Sequence, residues 1–364
     1  MNKIVVSGYF GFDNSGDDAI LKAMVADFKK LNMDLEIIAL SKNPEKTKRV
    51  YKIDAVDRFS ISEVFNTFRD SDLFISGGGS LLQDITSTRS ILYYLSVILM
   101  AKFLRKKVYV YANGIGPIDK KLNRMITRFV LNKVDYITLR DELSRRFVKN
   151  LGVKNENIEV TADPVFSLDA AGDDRIDEIL EIEEIELSEN TIGFCLRDYK
   201  NDEGLKKKFA EEIDNLIDAG HDVLLVPFHM PRDNVYSDEI LKYTKNKDKL
   251  KIIKNNYSAE ELMGIFKRLK LLCAMRLHSL IYAANVSLPM VGIIYDPKVE
   301  AMIKELGVIE YIDIRNFKVQ DLNEKVESAL NNLEDRRQTL IKNTNKMKSK
   351  SKRNIEIAIE LLEK

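Results

Sequence analysis

Met275-Arg276-Leu277-His278-Ser279 joins an apolar run, Leu271 to Ala274, to a segment of helical pattern, Leu280 to Asn285. The chain has only three histidines. One of them stands beside an arginine at a strand-to-helix junction. Such a pairing suits a site that holds an anion and moves a proton. Open α/β sheets bind their ligands at the carboxyl ends of the strands, which is where this junction falls.

Further cations sit at comparable places. Arg140 ends the run Thr138-Leu139-Arg140, and Arg197 ends Cys195-Leu196-Arg197. Lys298 follows another apolar run, in Tyr295-Asp296-Pro297-Lys298. For any one of these a surface ion pair is the ordinary explanation. Four cations at strand ends, counting Arg276, point to a small and densely anionic ligand, because guanidinium forks match carboxylate and phosphate.

Three loops add polar groups. The first strand-like run leads into Gly8-Tyr9-Phe10-Gly11-Phe12-Asp13-Asn14-Ser15-Gly16-Asp17-Asp18. It is neither G-x-G-x-x-G nor a P-loop, and its aspartates would repel a pyrophosphate. Two readings remain open: a well-capped turn opening a helix, or a loop whose Asn14 and one aspartate bind hydroxyls, as those of a sugar. Ser76-Gly77-Gly78-Gly79 allows close backbone approach, with N–H groups available to an anion. The third loop begins at Asn113, in Asn113-Gly114-Ile115-Gly116-Pro117. His229 lies in a further loop, and His221 looks like a turn residue. No metal-ligand spacing and no G-x-S-x-G elbow is present.

These residues need strands and helices to place them. Short apolar runs alternate with amphipathic segments of helical length from Ile4 to Ala162, as repeated βα units do. Asp169 to Glu189 then carries ten acidic residues and one basic residue. The βα pattern resumes at Thr191. Ser258 and Glu261 have capping-box spacing before the helix 258–269. The expectation is an α/β chain of two Rossmann-like, doubly wound domains: 1–170, an acidic linker over 171–190, and 191–335. A basic C-terminal helix, 336–364, would pack back on the first domain. Two such domains in tandem imply a cleft, with substrates held by loops of both.

Lysines plus arginines equal aspartates plus glutamates, 57 each. That balance argues against a general nucleic-acid binder. Cys195 and Cys273 lie in apolar runs and read as buried thiols. The N-terminus enters a strand without the features of a signal peptide, so a cytoplasmic protein is expected. Ile91 to Leu104 is apolar but too short to span a bilayer. It reads as a layer helix, with an interfacial segment as the alternative.

Taken together, the loop 8–18, Gly77-Gly78-Gly79, Asn113-Gly114-Ile115-Gly116-Pro117, Leu139-Arg140-Asp141, Ala162-Asp163-Pro164 and Arg276-Leu277-His278 resemble the polysaccharide pyruvyl transferase family. The resemblance runs from residue 8 to about residue 300. It implies a GT-B-like fold and transfer of the pyruvyl group of phosphoenolpyruvate onto two sugar hydroxyls as a cyclic ketal. In the cell-wall polymer branch, the acceptor is an N-acetylmannosamine-containing disaccharide on undecaprenyl diphosphate, and the product polymer anchors surface-layer proteins. His278 is then the acid, with Arg276 beside it. Arg140, Arg197, Arg276, Lys298, Gly78 and Gly79 hold the donor. Asp13, Asn14, Asp17, Asn113 and His229 meet the acceptor. No metal or cofactor is called for, since phosphoenolpyruvate is a co-substrate. The chain would touch the inner leaflet peripherally, through the 91–104 helix and the basic C-terminal helix. Two other readings share the fold: a glycosyltransferase using a nucleotide sugar, and a non-catalytic sugar-binding protein.

Overall fold

The computed structural model describes residues 2–12, 14–31, 34–85 and 87–363. The chain forms two compact units, Met1–Ser167 with Met347–Lys364, and Leu168–Lys346.

The first unit is a parallel seven-stranded sheet. Its strands are β1 (Asn2–Ser7), β2 (Leu35–Ser41), β3 (Asp54–Asp57), β4 (Leu73–Gly77), β5 (Lys107–Asn113), β6 (Tyr136–Leu139) and β7 (Ile158–Val160). Helices α1 (Ser15–Lys30), α2 (Pro44–Tyr51), α3 (Ile61–Arg69), α4 (Thr88–Phe103), α5 (Lys121–Leu131) and α6 (Glu142–Asn150) connect them. The spatial order is β3-β2-β1-β4-β5-β6-β7. The order therefore reverses between β1 and β4, and the loops that follow them open at the place where such sheets bind ligands. A parallel sheet covered on both faces needs apolar residues at nearly every strand position, and residues 108–113 are all buried. One face packs Val5, Phe74, Val108 and Ile137 against Phe68, Ile98, Val130 and Val148 of the helices.

The second unit repeats the plan. It contains α7 (Asp173–Ile182), β8 (Thr191–Cys195), α8 (Glu203–Asp218), β9 (Asp222–Leu225), α9 (Arg232–Tyr243), β10 (Leu250–Ile252) and α10 (Ala259–Phe266). Then follow β11 (Leu271–Ala274), α11 (Leu277–Asn285), β12 (Met290–Ile294), α12 (Pro297–Leu306), β13 (Tyr311–Asp313) and α13 (Val319–Asn331). The strand order is β10-β9-β8-β11-β12-β13, all parallel, reversing between β8 and β11. The last helix, α14 (Leu333–Glu363), belongs to the second unit up to Lys346 and to the first unit from Met347. In the first unit its Asn354 is fully buried: Nδ2 donates to Ala162 O and Oδ1 accepts from Thr161.

The acidic stretch does not behave as a linker. It includes α7, whose Ile176 and Ile179 are fully buried. Gly264 of α10 makes room for Ile176; a Cβ there would lie against Ile176 Cδ1 and Cγ1. Two buried isoleucines outweigh a charged outer face, since each contributes about 1.5–3 kcal/mol on burial.

Candidate active site

In the first unit, β1 delivers the chain to the loop 8–14. Arg58, only 5% exposed, holds that loop. Its Nη1 donates to Gly8 O at 2.8 Å, and its guanidinium lies over the rings of Tyr93 and Phe12 at 4.4 and 5.2 Å. Asp13 lies outside the described residues. Asn14 is the N-cap of α1, its Oδ1 accepting from Gly16 N at 3.1 Å. The capped-turn reading of this loop therefore holds for Asn14.

Asp17 lies in the first turn of α1 and keeps part of its surface open. Its carboxylate packs against the Gly78–Gly79 turn. Both glycines have positive φ, 59° and 69°. A Cβ on Gly79 would come 2.8 Å from Asp17 Oδ1, and one on Gly78 would come 2.1 Å from Ile20 Cγ2. The glycines thus bring α1 onto the β4 loop. The N–H of Gly78 is not available to an anion, because it donates to Tyr111 O at 2.8 Å. Asp17 is pushed up to about 7, first by burial and then by the charge of Asp18; Arg140 and Arg58 pull the other way. A carboxyl poised near neutrality can exchange protons at physiological pH.

Arg140 is 4% exposed and already satisfied. Nη1 donates to Asp163 Oδ2 at 3.1 Å and Nη2 to Ser80 Oγ at 3.0 Å. Asp141 adds a carboxylate at 3.5 Å. Gly114 lies against the same guanidinium; a Cβ there would be 2.8 Å from Nε. Asn113 is completely buried and its Nδ2 donates to Ser76 O at 3.3 Å, so it ties β5 to β4 and lines no open surface.

The second unit collects the other cations at the carboxyl ends of β8, β11 and β12, with His229 after β9. Arg197 follows β8; its Nη1 donates to Tyr295 OH at 3.0 Å, and its guanidinium lies 4.9 Å from that ring's centroid. Arg276 is the N-cap residue of α11, and its carbonyl accepts from Ser279 Oγ at 2.6 Å. Its Nη2 pairs with Asp233. Its Nε is buried and, among the described residues, has no hydrogen-bond partner. A buried donor of this kind is matched when a ligand supplies an acceptor. Asp233 also accepts from the backbone N–H groups of Phe228 and His229, at 3.1 and 3.0 Å. It therefore links the β9 loop to the arginine. Burial, then the charge of Arg276, lowers the His229 pKa and favours its neutral form. His278 lies in the first turn of α11, its ring 6.3 Å from that of Tyr282. Lys298 opens α12, its N–H donating to the N-cap Asp296 at 2.8 Å.

The expected donor set is thus divided. Arg197, Arg276 and Lys298 share the carboxyl-terminal edge of the second sheet with His278 and His229. Arg140, Gly78 and Gly79 belong to the first unit, with Asp17, Asn14 and Asn113. Sequence reasoning missed Asp233, Tyr295 and Arg58. Asp233 could have been sought as a carboxylate in the first turn of the helix that follows His229. Arg58 stands in an unremarkable stretch and carried no signal. Among the described residues no group of three or more His, Cys, Asp or Glu could hold a metal ion.

Comparison with known proteins bears on what this arrangement serves. The profile of a family described as polysaccharide pyruvyl transferase matches residues 14–297. The amylovoran biosynthesis protein AmsJ of Erwinia amylovora is 22% identical, over 92% of this chain and 93% of that one. Among solved structures, the UDP-GlcNAc 2-epimerase of Methanocaldococcus jannaschii superposes with a TM-score of 0.70 at 15% identity, covering 98% of this chain and 99% of that one. A glycosyltransferase of Rickettsia africae superposes with a TM-score of 0.67 at 12% identity, covering 99% and 98%. At these identities the solved structures establish the fold alone, two Rossmann-like domains of GT-B type.

Proposed function

Because the chain belongs to the polysaccharide pyruvyl transferase family, we propose that it moves the pyruvyl group of phosphoenolpyruvate onto two hydroxyls of a saccharide acceptor, with release of phosphate. The observation that carries this reading is the placing of Arg197, Arg276 and Lys298 with His278 at one edge of the second sheet. Phosphoenolpyruvate carries a carboxylate and a phosphate within a few bonds, and several cations at one sheet edge suit it. The buried Nε of Arg276 is a ready donor to one of those oxygens.

His278 gives a proton to the methylene carbon, which becomes the methyl group. The carbon that bears the phosphate ester turns into an oxocarbenium-like electrophile. A sugar hydroxyl attacks it and loses its proton to a base. The C–O bond to phosphate then breaks, phosphate leaves, and the second hydroxyl attacks the same carbon and closes the ketal, its proton returning to the His278 imidazole. Cations around the leaving phosphate stabilise the charge that develops on it. Asp17 is our candidate for the base, since its pKa of about 7 lies where a general base is most effective. His229, held neutral, can accept a hydrogen bond from a hydroxyl. We assign the acceptor to a lipid-linked disaccharide of the N-acetylmannosamine type, met at the cytoplasmic face of the membrane.

The test is phosphate release from phosphoenolpyruvate with a synthetic N-acetylmannosaminyl-N-acetylglucosamine diphospholipid, for the wild type and His278→Ala. We expect release that requires the acceptor, a product heavier by one pyruvyl ketal, and loss of both in the variant. Tight phosphoenolpyruvate binding without release would keep the donor and reopen the sugar. No binding of phosphoenolpyruvate would overturn the reading in favour of a nucleotide-sugar donor.

A further inference from the structure

Helices α4 and α5 pack side by side on one face of the first sheet. Their amino ends are joined by Lys120 Nζ, which donates to Thr88 Oγ1. The outer face of the pair is apolar where solvent would be expected. On α5, Leu122, Met125 and Phe129 are 61%, 55% and 55% exposed. Their spacing places them on one side of the helix. On α4, Leu92 and Phe103 are exposed as well, Phe103 to 81%.

The two helices of this face carry charge of one sign. Residues 88–107 and 120–133 contain ten lysines and arginines and no aspartate or glutamate, in a chain whose charges balance overall. Arg89, Arg105, Lys120, Lys121, Arg128 and Lys133 are exposed. Lys133 lies over the Phe129 ring, with Nζ 4.7 Å from its centroid. An ammonium held over an exposed aromatic ring puts a cation and an apolar group at one place on the surface.

We propose that the α4–α5 face of the first unit seats on an anionic lipid bilayer. Apolar side chains rimmed by basic ones are what such a surface recognises. A second copy of the chain would bring like charges together. Among the described residues no helix is long and apolar enough to cross a membrane, so the contact lies in the interface. The basic α14 is less suited: Arg336 is paired with Glu310, and Arg353 with Glu159 and Glu360. The amino ends of α4 and α5 adjoin the β4 and β5 loops. A lipid carrier resting in the bilayer would then bring its sugar to the loops assigned above to the acceptor. That last step rests on the proposed function; the bilayer contact does not.

The experiment is flotation of the full chain with vesicles of phosphatidylcholine alone or mixed with phosphatidylglycerol. The wild type is expected to float with the mixed vesicles only. Leu122→Ser/Met125→Ser/Phe129→Ser should weaken flotation by at least about tenfold. Lys121→Gln/Arg128→Gln/Lys133→Gln changes only exposed side chains and should weaken it about fivefold per charge removed. Ile182→Ser, at an exposed position of the second unit, should float like the wild type. Absence of wild-type flotation, equal flotation with both vesicles, or a charge variant that floats like the wild type would overturn the proposal. Flotation needs no phosphoenolpyruvate, so intact flotation with no turnover would count against the pyruvyl reaction alone.

Discussion

The carboxylate of Asp233 pairs with Arg276 through one oxygen and receives the N–H groups of Phe228 and His229 through the other. One nearly buried group therefore fixes two loops, one carrying a cation and the other a neutral imidazole. It acts through its neighbours, as a positioning residue. Asp233→Asn keeps the shape and removes the charge. We expect the KM for phosphoenolpyruvate to rise roughly tenfold to a hundredfold, the worth of one charged hydrogen bond, with a smaller change in kcat. The charge of Asp233 raises the His229 pKa, so the variant should lower it further. With three histidines in the chain, an NMR titration of the imidazoles resolves this. An unmoved His229 pKa would deny the coupling.

The sheet plan was legible because parallel strands buried on both faces read as unbroken apolar runs, as at Val108 to Ala112. The capping box at Ser258 and Glu261 was legible because both partners lie within one turn. Strands β3 and β13 were not. Each is three or four residues long and includes aspartate, which an edge strand tolerates. Helix α7 hid under its own acidic residues, since its two buried isoleucines stand among five acids and give little periodic signal. The basic rim with apolar residues on α5 was also invisible, because a sequence pattern shows an apolar stripe without saying whether it faces the core. In the candidate site, Arg276 and His278 stood out by type and spacing. The roles of Gly78, Asn113 and Arg140 did not, because they depend on partners brought in from other strands.

Arg140 illustrates that point and can be tested. Its partner Asp163 is 23 residues away in sequence and arrives through the pairing of β6 with β7. Removing one member of a buried pair leaves the other charged and unsolvated, at about 3–5 kcal/mol. Asp163→Ala should therefore lower the denaturant midpoint sharply, and Arg140→Met in the same chain should restore part of the loss. A donor-binding cation would behave differently. Arg140→Met alone would then raise the KM for phosphoenolpyruvate and leave the midpoint nearly unchanged. Measuring both quantities on the same variants separates a scaffold from a contact.

Asp17 should reveal itself through opposite effects on stability and activity. Its carboxyl ionises near 3.8 in the unfolded chain and near 7 in the folded one. Below about pH 4 both states hold the proton, and the group has no effect on stability. Between these values the unfolded chain releases the proton and the folded chain keeps it, so stability falls as pH rises. Above pH 7 the loss is complete, with the ionised carboxylate facing Asp18. Asp17→Asn avoids this, so its melting temperature should exceed that of the wild type at pH 8 and match it near pH 4. Activity should move the other way. A base acts in its ionised form, so wild-type kcat/KM should climb through pH 7. The variant should lose that limb and about a hundredfold or more in rate. Higher stability at pH 8 with an unchanged pH–rate profile would leave Asp17 packed beside Gly79 but without a part in proton transfer.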